Sequence, residues 1–292
     1  MDHNIADLSL SEVSKIAKTA GMRQVGHRPP FGAYIRDLWQ RRSFLWTLSS
    51  ARSLAKNEGQ RFGQLWAFIN PLLLIATYLF IFGLLLRTGR GIDNFVGYLA
   101  IGVVLFGLSA STLTSGSRAI VGNTGLVRAL HFPRALLPLA VVLTEVLALL
   151  PGLLVLVVVL PLTGERPMWS WLLFPVAIVL QGLMQAGMVL ILARIVNASA
   201  DVWNLIPVAV RLGRYVSGVF FSISAMTANW PVVGAILDNQ PLALQLTIAR
   251  QALMGEFELS WTPWLVSIAW AIVLPVVGLW VFWRDEARYG RG

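Results

Sequence analysis

The stretch "LVRALHFPRALLPLA" (residues 126–140) carries two arginines, a histidine and two prolines between two long apolar runs. The flanking runs, about 95–116 and 135–162, can each cross a bilayer, because a helical span needs ~20 mostly apolar residues. A short basic helix is therefore expected at the membrane surface, with Pro133 breaking it before the chain returns to lipid. These features predict an all-α integral membrane protein.

Composition supports a membrane protein. The chain has 292 residues, of which 57% are hydrophobic and 13% charged, whereas soluble domains have ~25% charged residues. The absence of cysteine and the scatter of three histidines predict neither a disulfide nor a metal site. A net charge of +9 can indicate nucleic-acid binding, but basic loops on one side of a membrane explain it better. The first ~60 residues are too polar for a cleavable signal peptide.

Six spans are predicted from apolar length. They cover about 64–86, 95–116, 135–162, 171–196, 203–224 and 262–283. Residues 225–256 hold two shorter apolar pieces interrupted by Pro231, Asp238 and Pro241. Pieces of that length indicate re-entrant or interfacial helices rather than a seventh span.

The basic residues predict the orientation. With six spans both termini lie on one side, and the loops of that side hold 17 lysines and arginines. The opposite loops hold four, which are Arg87, Arg90, Arg166 and Arg250. Because basic loops stay in the cytoplasm, both termini are predicted to be cytoplasmic.

An amphipathic helix is predicted over about 31–48, before the first span. Its apolar face is formed by Phe31, Tyr34, Ile35, Leu38, Trp39, Leu45 and Trp46. Such a face favours a helix lying in the membrane interface, with Arg42 extending toward headgroups. A soluble helix packed on a separate domain is the alternative, although the chain before the first span is short for one.

Ionisable and aromatic side chains within the spans are the candidate site residues. Glu145 can be neutralised by Arg211 or Arg214 in a buried pair, or it can contact substrate. The two arginines can instead bind a diphosphate, because guanidinium groups match phosphate oxygens. Tyr78, Phe82, Tyr215, Phe220 and Phe221 either pack and face lipid, or form a pore wall for sugar rings. No Walker A, GxSxG or HExxH pattern occurs, so catalysis by this chain alone is not expected.

Four segments resemble the permeases of ABC-2 type exporters for O-antigen, teichoic acid and related lipid-linked polysaccharides. They are "GQRFGQLWAFINPLL" (59–73), "YLAIGVVLF" (98–106), "NTGLVRALHFPRALLPLA" (123–140) and "DNQPLALQLTIARQAL" (238–253). The resemblance covers nearly the whole chain in the family's order, and it is greatest to permeases for the lipid-linked galactan of mycobacterial cell walls. One departure is "SGVFFSISAM" (217–226), which lacks a Ser-Pro pair that many relatives carry.

The resemblance implies a homodimer in the bacterial cell membrane, paired with two copies of a cytoplasmic ATPase subunit. ATP and magnesium would bind to that subunit, and no cofactor is expected on this chain. The implied substrate is a polysaccharide on a polyprenyl diphosphate, moving through a pore chiefly of the first, second and fifth spans.

The family also implies the roles of particular segments. Residues 1–60 would form a cytoplasmic segment with the interface helix, and residues 61–292 the transmembrane domain. A coupling helix over about 121–131, capped by Asn123, would meet the ATPase. Residues 225–256 would form the outer gate. The coupling residues would be Asn123, Leu126, Val127, Arg128, His131, Phe132 and Arg134. The alternatives are a basic loop without a partner, a drug exporter of the same superfamily, a membrane glycosyltransferase or lipid phosphatase, and a secondary transporter.

Overall fold

The structure, a computed structural model, describes residues 29–56, 61–89, 91–130 and 132–289. His131 therefore lies outside the described residues, as do residues 1–28 and 57–60. In chain order the α-helices are α1 (Phe31–Gln40), α2 (Arg42–Ala55), α3 (Trp66–Tyr78), α4 (Phe95–Ser117), α5 (Thr124–Ala129), α6 (Leu136–Leu162), α7 (Phe174–Ala198), α8 (Ile206–Val216), α9 (Ile223–Met226), α10 (Pro231–Asp238), α11 (Pro241–Leu253) and α12 (Trp261–Arg284).

Five helical stretches of the described chain are long and apolar enough to cross a membrane. They run over Gly63–Leu85, Phe95–Ser117, Leu136–Leu162, Trp169–Ala198 and Trp261–Arg284. The first continues α3 as a π-helix over Leu79–Leu85, and the fourth begins α7 with a 3₁₀ turn. Their bounds confirm five of the six predicted ranges, because uninterrupted apolar runs of this length form helices in lipid. The chain is a multi-pass membrane protein.

The sixth predicted span, about 203–224, does not form one unbroken helix. Helix α8 ends at Val216, and Gly218 then adopts a left-handed backbone conformation with φ of +71°. The Gly218 carbonyl accepts hydrogen bonds from the Tyr98 hydroxyl and the Arg250 guanidinium, each over 2.9 Å. These contacts hold the chain in a turn before α9 begins. The 3₁₀ turn Ala200–Leu205 precedes α8, and a sixth crossing of the membrane here stays a prediction.

The amphipathic segment forms two helices rather than the single predicted one. A break at Arg41 separates α1 from α2, and α2 extends to Ala55. Helix α2 packs along the first half of α6, where the Ser49 hydroxyl donates to the Ala140 carbonyl over 3.1 Å. Tyr34 is buried, whereas Trp39 is 71% exposed. The apolar face is therefore divided between the protein and its surroundings.

Two large hydrophobic cores and a small cluster of Leu113, Val142 and Val189 stabilise the described chain. The main core lies among α4, α6, α7 and α11. The second core lies where α6 begins and α7 and α12 end, and its side chains come from α1, α5, the turns and the chain end. It contains Tyr34, Ala119, Ile120, Val127, Ala135, Leu137, Leu190, Ala193, Phe282 and Tyr289.

Helices α7 and α12 pack backbone against backbone. A Cβ added at Gly187 would lie 2.2 Å from the Leu274 carbonyl carbon, and one at Gly278 would lie 2.5 Å from the Gly187 oxygen. Only glycine permits so close an approach. The two helices are therefore expected to move as a unit.

Residues 225–256 contain short helices, as predicted, but α9 adds one to the expected pair. Helix α10 has 8 residues and α11 has 13. Most of α11 is buried in the main core. The second short helix is thus part of the packed interior.

Candidate substrate-path and coupling sites

Aromatic rings from three parts of the chain meet beside Arg214. The ring centroids of Phe82 and Phe220 lie 4.1 Å apart in a stacked arrangement, and Tyr78 lies 4.8 Å from Phe220. Tyr215 approaches Phe220 at 5.5 Å and is itself 46% exposed. We call Arg214, Tyr78, Phe82, Tyr215 and Phe220 the Arg214 cluster. The structure thus brings together five of the predicted pore residues.

The charge of Arg214 is held by a hydroxyl group and by ring faces. Its Nη1 atom donates to the Tyr78 hydroxyl over 2.6 Å, and its Cζ atom lies 5.4 Å from the Phe106 ring centroid. Among the described residues, no carboxylate lies within 4.0 Å of its nitrogen atoms. Because the guanidinium has five N–H donors, this arrangement leaves it able to contact an anionic group.

Two other predicted pore residues lie outside the cluster. Arg211 is exposed, three residues before Arg214 on α8. Phe221 is half-buried and its carbonyl accepts a hydrogen bond from the Tyr98 hydroxyl over 2.9 Å. Phe221 packs against the main core rather than joining the Arg214 cluster.

The predicted pairing of Glu145 with Arg211 or Arg214 is wrong. The Glu145 carboxylate pairs with the Lys56 ammonium over 2.6 Å and accepts a hydrogen bond from the Ser111 hydroxyl over 2.7 Å. The physical reason is the packing of α2 along α6, which brings the end of α2 to Glu145, whereas α8 packs on α4. Glu145 therefore fastens the segment before the first span to the bundle.

A short helix is present where the coupling helix was predicted. Residues Val121–Asn123 form a 3₁₀ turn, and α5 follows. Val127 is buried in the second core, and Leu126 packs against it. Arg128 is exposed, while Phe132 lies 6.3 Å from Phe44 of α2, between ring centroids. The segment thus presents its basic side outward and its apolar side inward.

Asn123 does not cap α5 through its side chain. Its amide nitrogen donates to the Ala119 carbonyl over 2.8 Å, and its amide oxygen accepts from Arg52 over 3.1 Å. The side chain points back toward α2 and the preceding turn, because those partners satisfy both of its polar atoms. Asn123 therefore joins the predicted interface and coupling segments.

A buried carboxylate that the sequence reasoning missed lies beside this segment. The Tyr34 hydroxyl donates to Glu286 Oε2 over 2.8 Å, and the Arg134 backbone N–H donates to Glu286 Oε1 over 2.9 Å. Burial raises the pKa of Glu286, while the hydrogen bonds from Arg134 and Tyr34 oppose that shift. Burial, with the nearby Glu286 charge, also raises the pKa of Tyr34. The only sequence signal was an acidic pair, Asp285 and Glu286, on the basic side of the last span.

Tyr98 and Arg250 form a second missed contact. Arg250 was assigned to an outer loop, but it is 5% exposed within α11, and its Cζ atom lies 3.4 Å from the Tyr98 ring centroid. Together the two side chains hold the Gly218 carbonyl at the end of α8. They position the loop that carries Phe220.

Comparison with known proteins agrees with this architecture. The model of the ABC-2 type transporter family matches residues 45–254, from α2 to just beyond α11. This chain belongs to the ABC-2 type transporter family.

Three proteins called O-antigen export system permease protein RfbA are similar to this ABC-2 chain. The one from Myxococcus xanthus is 26% identical over 246 residues, covering 84% of this chain and 92% of its own length. Two from Klebsiella pneumoniae are 26% and 27% identical, each covering 78% of this chain and 86% of its own length. The similarity extends over nearly the full length of these relatives.

Proposed function

We propose that this chain is the permease subunit of an ABC exporter that moves a polysaccharide linked to a polyprenyl diphosphate. The observation that carries the proposal is the Arg214 cluster, which combines an accessible cation with aromatic faces. A guanidinium group can bind phosphate oxygens, and flat rings can contact sugar C–H faces without fixed hydrogen bonds. The names of the similar permeases support a polysaccharide substrate. A lipid-linked galactan is the specific glycan we favour.

We propose further that the permease works as a homodimer in the bacterial cell membrane with both termini cytoplasmic. Within its own chain, only 6% of an 18-residue apolar stretch of the first span is buried. Its exposed side chains include Leu72, Leu73, Leu74, Phe80 and Leu84. Tyr78 and Phe82 of the Arg214 cluster belong to the same span, so a second copy packed on this span would border the path of the substrate.

Energy for transport would come from two copies of a soluble ABC ATPase. We propose that α5, through Arg128 and its neighbours, contacts that subunit, and that α1 and α2 lie at the membrane interface beside it. Closure of the ATPase dimer would then tilt the attached helices. Helices α10 and α11 would form the outer gate.

Co-purification tests this proposal. The tagged permease, expressed with ABC ATPase subunits of the same organism, should retain one of them in detergent, and a polyprenyl-diphosphate-linked glycan should stimulate ATP turnover. Retention without stimulation by any such glycan would favour the small-molecule exporter of the same superfamily. Failure to retain any ATPase would contradict the proposal.

A further inference from the structure

The end of the last span contacts three other parts of the chain. Beyond α12, residues 285–289 fold back against the bundle through a 3₁₀ turn at Glu286–Arg288. Tyr289 is 1% exposed, and its ring stacks on Phe282 at 4.5 Å between centroids. Residues 285–289, the last that the structure describes and which we call the chain end, are therefore packed against the bundle.

Glu286 connects α1 and the α5–α6 loop to that chain end. The Tyr34 hydroxyl of α1 donates to one carboxylate oxygen, and the Arg134 backbone N–H donates to the other. The Arg134 guanidinium also donates to the Glu286 carbonyl oxygen. Tyr34 accepts a further hydrogen bond from the Ala135 backbone N–H over 3.2 Å. Two of these four hydrogen bonds reach the carboxylate itself, and Glu286 is only 6% exposed.

Apolar packing reinforces the same connection. Val127 of α5 lies in the second core with Tyr34, Phe282 and Tyr289. The Trp283 indole N–H donates to the Pro29 carbonyl over 2.9 Å, and its ring meets Phe31 edge-on at 5.2 Å. Helix α5 therefore shares apolar contacts with α1 and α12, and the loop after it adds the polar ones.

Helix α7 joins this group through α12. The Asp285 carboxylate pairs with Arg194, near the end of α7, over 2.6 Å, in addition to the backbone contact at Gly187 and Gly278. Helix α2 is fastened to α6 and α4 through Glu145, and to the turn before α5 through Arg52 and Asn123. The break at Arg41 thus separates α1, which contacts the segment after α12, from α2, which packs along α6.

We propose that Glu286 is a positioning residue of the transport cycle, joining α1, the α5–α6 loop and α12 into one body that moves with α7. The chain end then acts as a third transmission element, in addition to α5 and the interface segment. A displacement of α5 by the ATPase reaches the last span directly at its end, without passing through the whole bundle. This inference rests on the function proposed above.

The first test measures glycan transported per ATP hydrolysed by the permease–ATPase complex in proteoliposomes. Glu286→Ala should lower this ratio ~5-fold or more, because couplings between sites in proteins begin at about this size. ATP turnover should continue in this variant. Glu286→Gln keeps a carbonyl acceptor for Arg134 and an amide for Tyr34, so it should retain at least half of the ratio. The ratio for Tyr34→Phe should lie between those of Glu286→Ala and Glu286→Gln.

Glu165→Ala is the matched control. Glu165 also accepts a backbone N–H, that of Gly255, over 3.0 Å, but it lies at the opposite end of the spans. The ratio of glycan transported to ATP hydrolysed should stay at the wild-type value in this variant. An equal fall in Glu165→Ala and Glu286→Ala would overturn the inference, because general loosening of the bundle would then explain both.

A second test measures the distance between α1 and the chain end. The chain contains no cysteine, so spin labels can be attached at cysteines introduced for the exposed residues Gln40 and Arg288. The distance between labels should stay narrow and constant when the wild-type complex binds ATP, and it should broaden in Glu286→Ala. A distance that changes with ATP in the wild type would overturn the single-body inference. Loss of glycan-stimulated turnover in the wild type would instead count against the proposed function.

Discussion

The Nη1 atom of Arg214 donates a hydrogen bond to the hydroxyl oxygen of Tyr78 over 2.6 Å, joining α8 to the first span. Aromatic rings, rather than a carboxylate, surround the rest of the guanidinium. The cation is thus stabilised without being neutralised, which suits a group that must receive and release an anionic substrate.

Substitutions at Arg214 should reduce transport in a graded way. Arg214→Ala should lower glycan flux ~10-fold or more, equivalent to ~1.4 kcal/mol, because it removes both the charge and the donors. Arg214→Lys should recover part of the flux, since lysine keeps the charge but lacks the planar fork. Arg211→Lys is the control and should leave the flux near the wild-type value, because Arg211 lies outside the cluster. Full flux in an assembled Arg214→Ala complex would contradict the role given to this residue.

Removing Lys56 should destabilise the protein more than removing the whole ion pair. Lys56→Met leaves the Glu145 carboxylate buried with only Ser111 as a donor. Because the Lys56 side chain is 37% exposed, we expect a loss of ~1–2 kcal/mol rather than the 3–5 kcal/mol of a fully buried pair. The double variant Lys56→Met/Glu145→Gln should recover most of that loss. Thermal unfolding in detergent measures the stability of the single and the double variant. If the Glu145→Gln substitution lowered stability further in the double variant, the two side chains would not interact.

Adding a methyl group between α7 and α12 should destabilise the bundle. Gly187→Ala would place its Cβ against the backbone of Leu274, so the helices must separate at a cost of ~1–3 kcal/mol. Gly182→Ala on the same helix is the control, because its Cβ would meet Val146 at an ordinary 3.7 Å. The midpoint of thermal unfolding should fall for Gly187→Ala alone. Equal midpoints for the two variants would argue against the close helix contact.

Stability should depend on pH through Glu286. Burial raises the pKa of this carboxyl above its ordinary value of 4.5. Its favourable contribution is therefore complete below pH ~4.5 and is lost as the pH rises through the folded-state pKa. The free energy of unfolding of wild type, relative to Glu286→Gln, should decrease between pH 4.5 and 8. Parallel pH profiles of the free energy of unfolding for the two proteins would refute the effect.

Long apolar runs made five spans predictable from the sequence, because a 20-residue hydrophobic helix needs no tertiary information. The basic stretch ending at Pro133 likewise predicted a short helix, observed as α5. The partner of Glu145 was not predictable, since Lys56 lies 89 residues earlier and reaches it only through the packing of α2 on α6.

The end of α8 depended on tertiary contacts in the same way. Gly218 alone does not end an apolar helix, and the turn is held by Tyr98 and Arg250 from two other helices. The contact between Tyr34 and Glu286 joins residues 252 positions apart. Apolar periodicity contains no information on such polar pairs. The sequence predicted the residues of the Arg214 cluster as pore residues. It did not predict that Arg211 lies apart from them.

Transport by the reconstituted complex tests the central claim most directly. The permease and its ATPase subunit, inserted in proteoliposomes with the ATPase facing outward, would be given ATP and a radiolabelled polyprenyl-diphosphate-linked galactan. We predict that the labelled glycan becomes protected inside the vesicles only when ATP is hydrolysed. Protection that is independent of ATP, or ATP hydrolysis that never moves a lipid-linked glycan, would contradict the account.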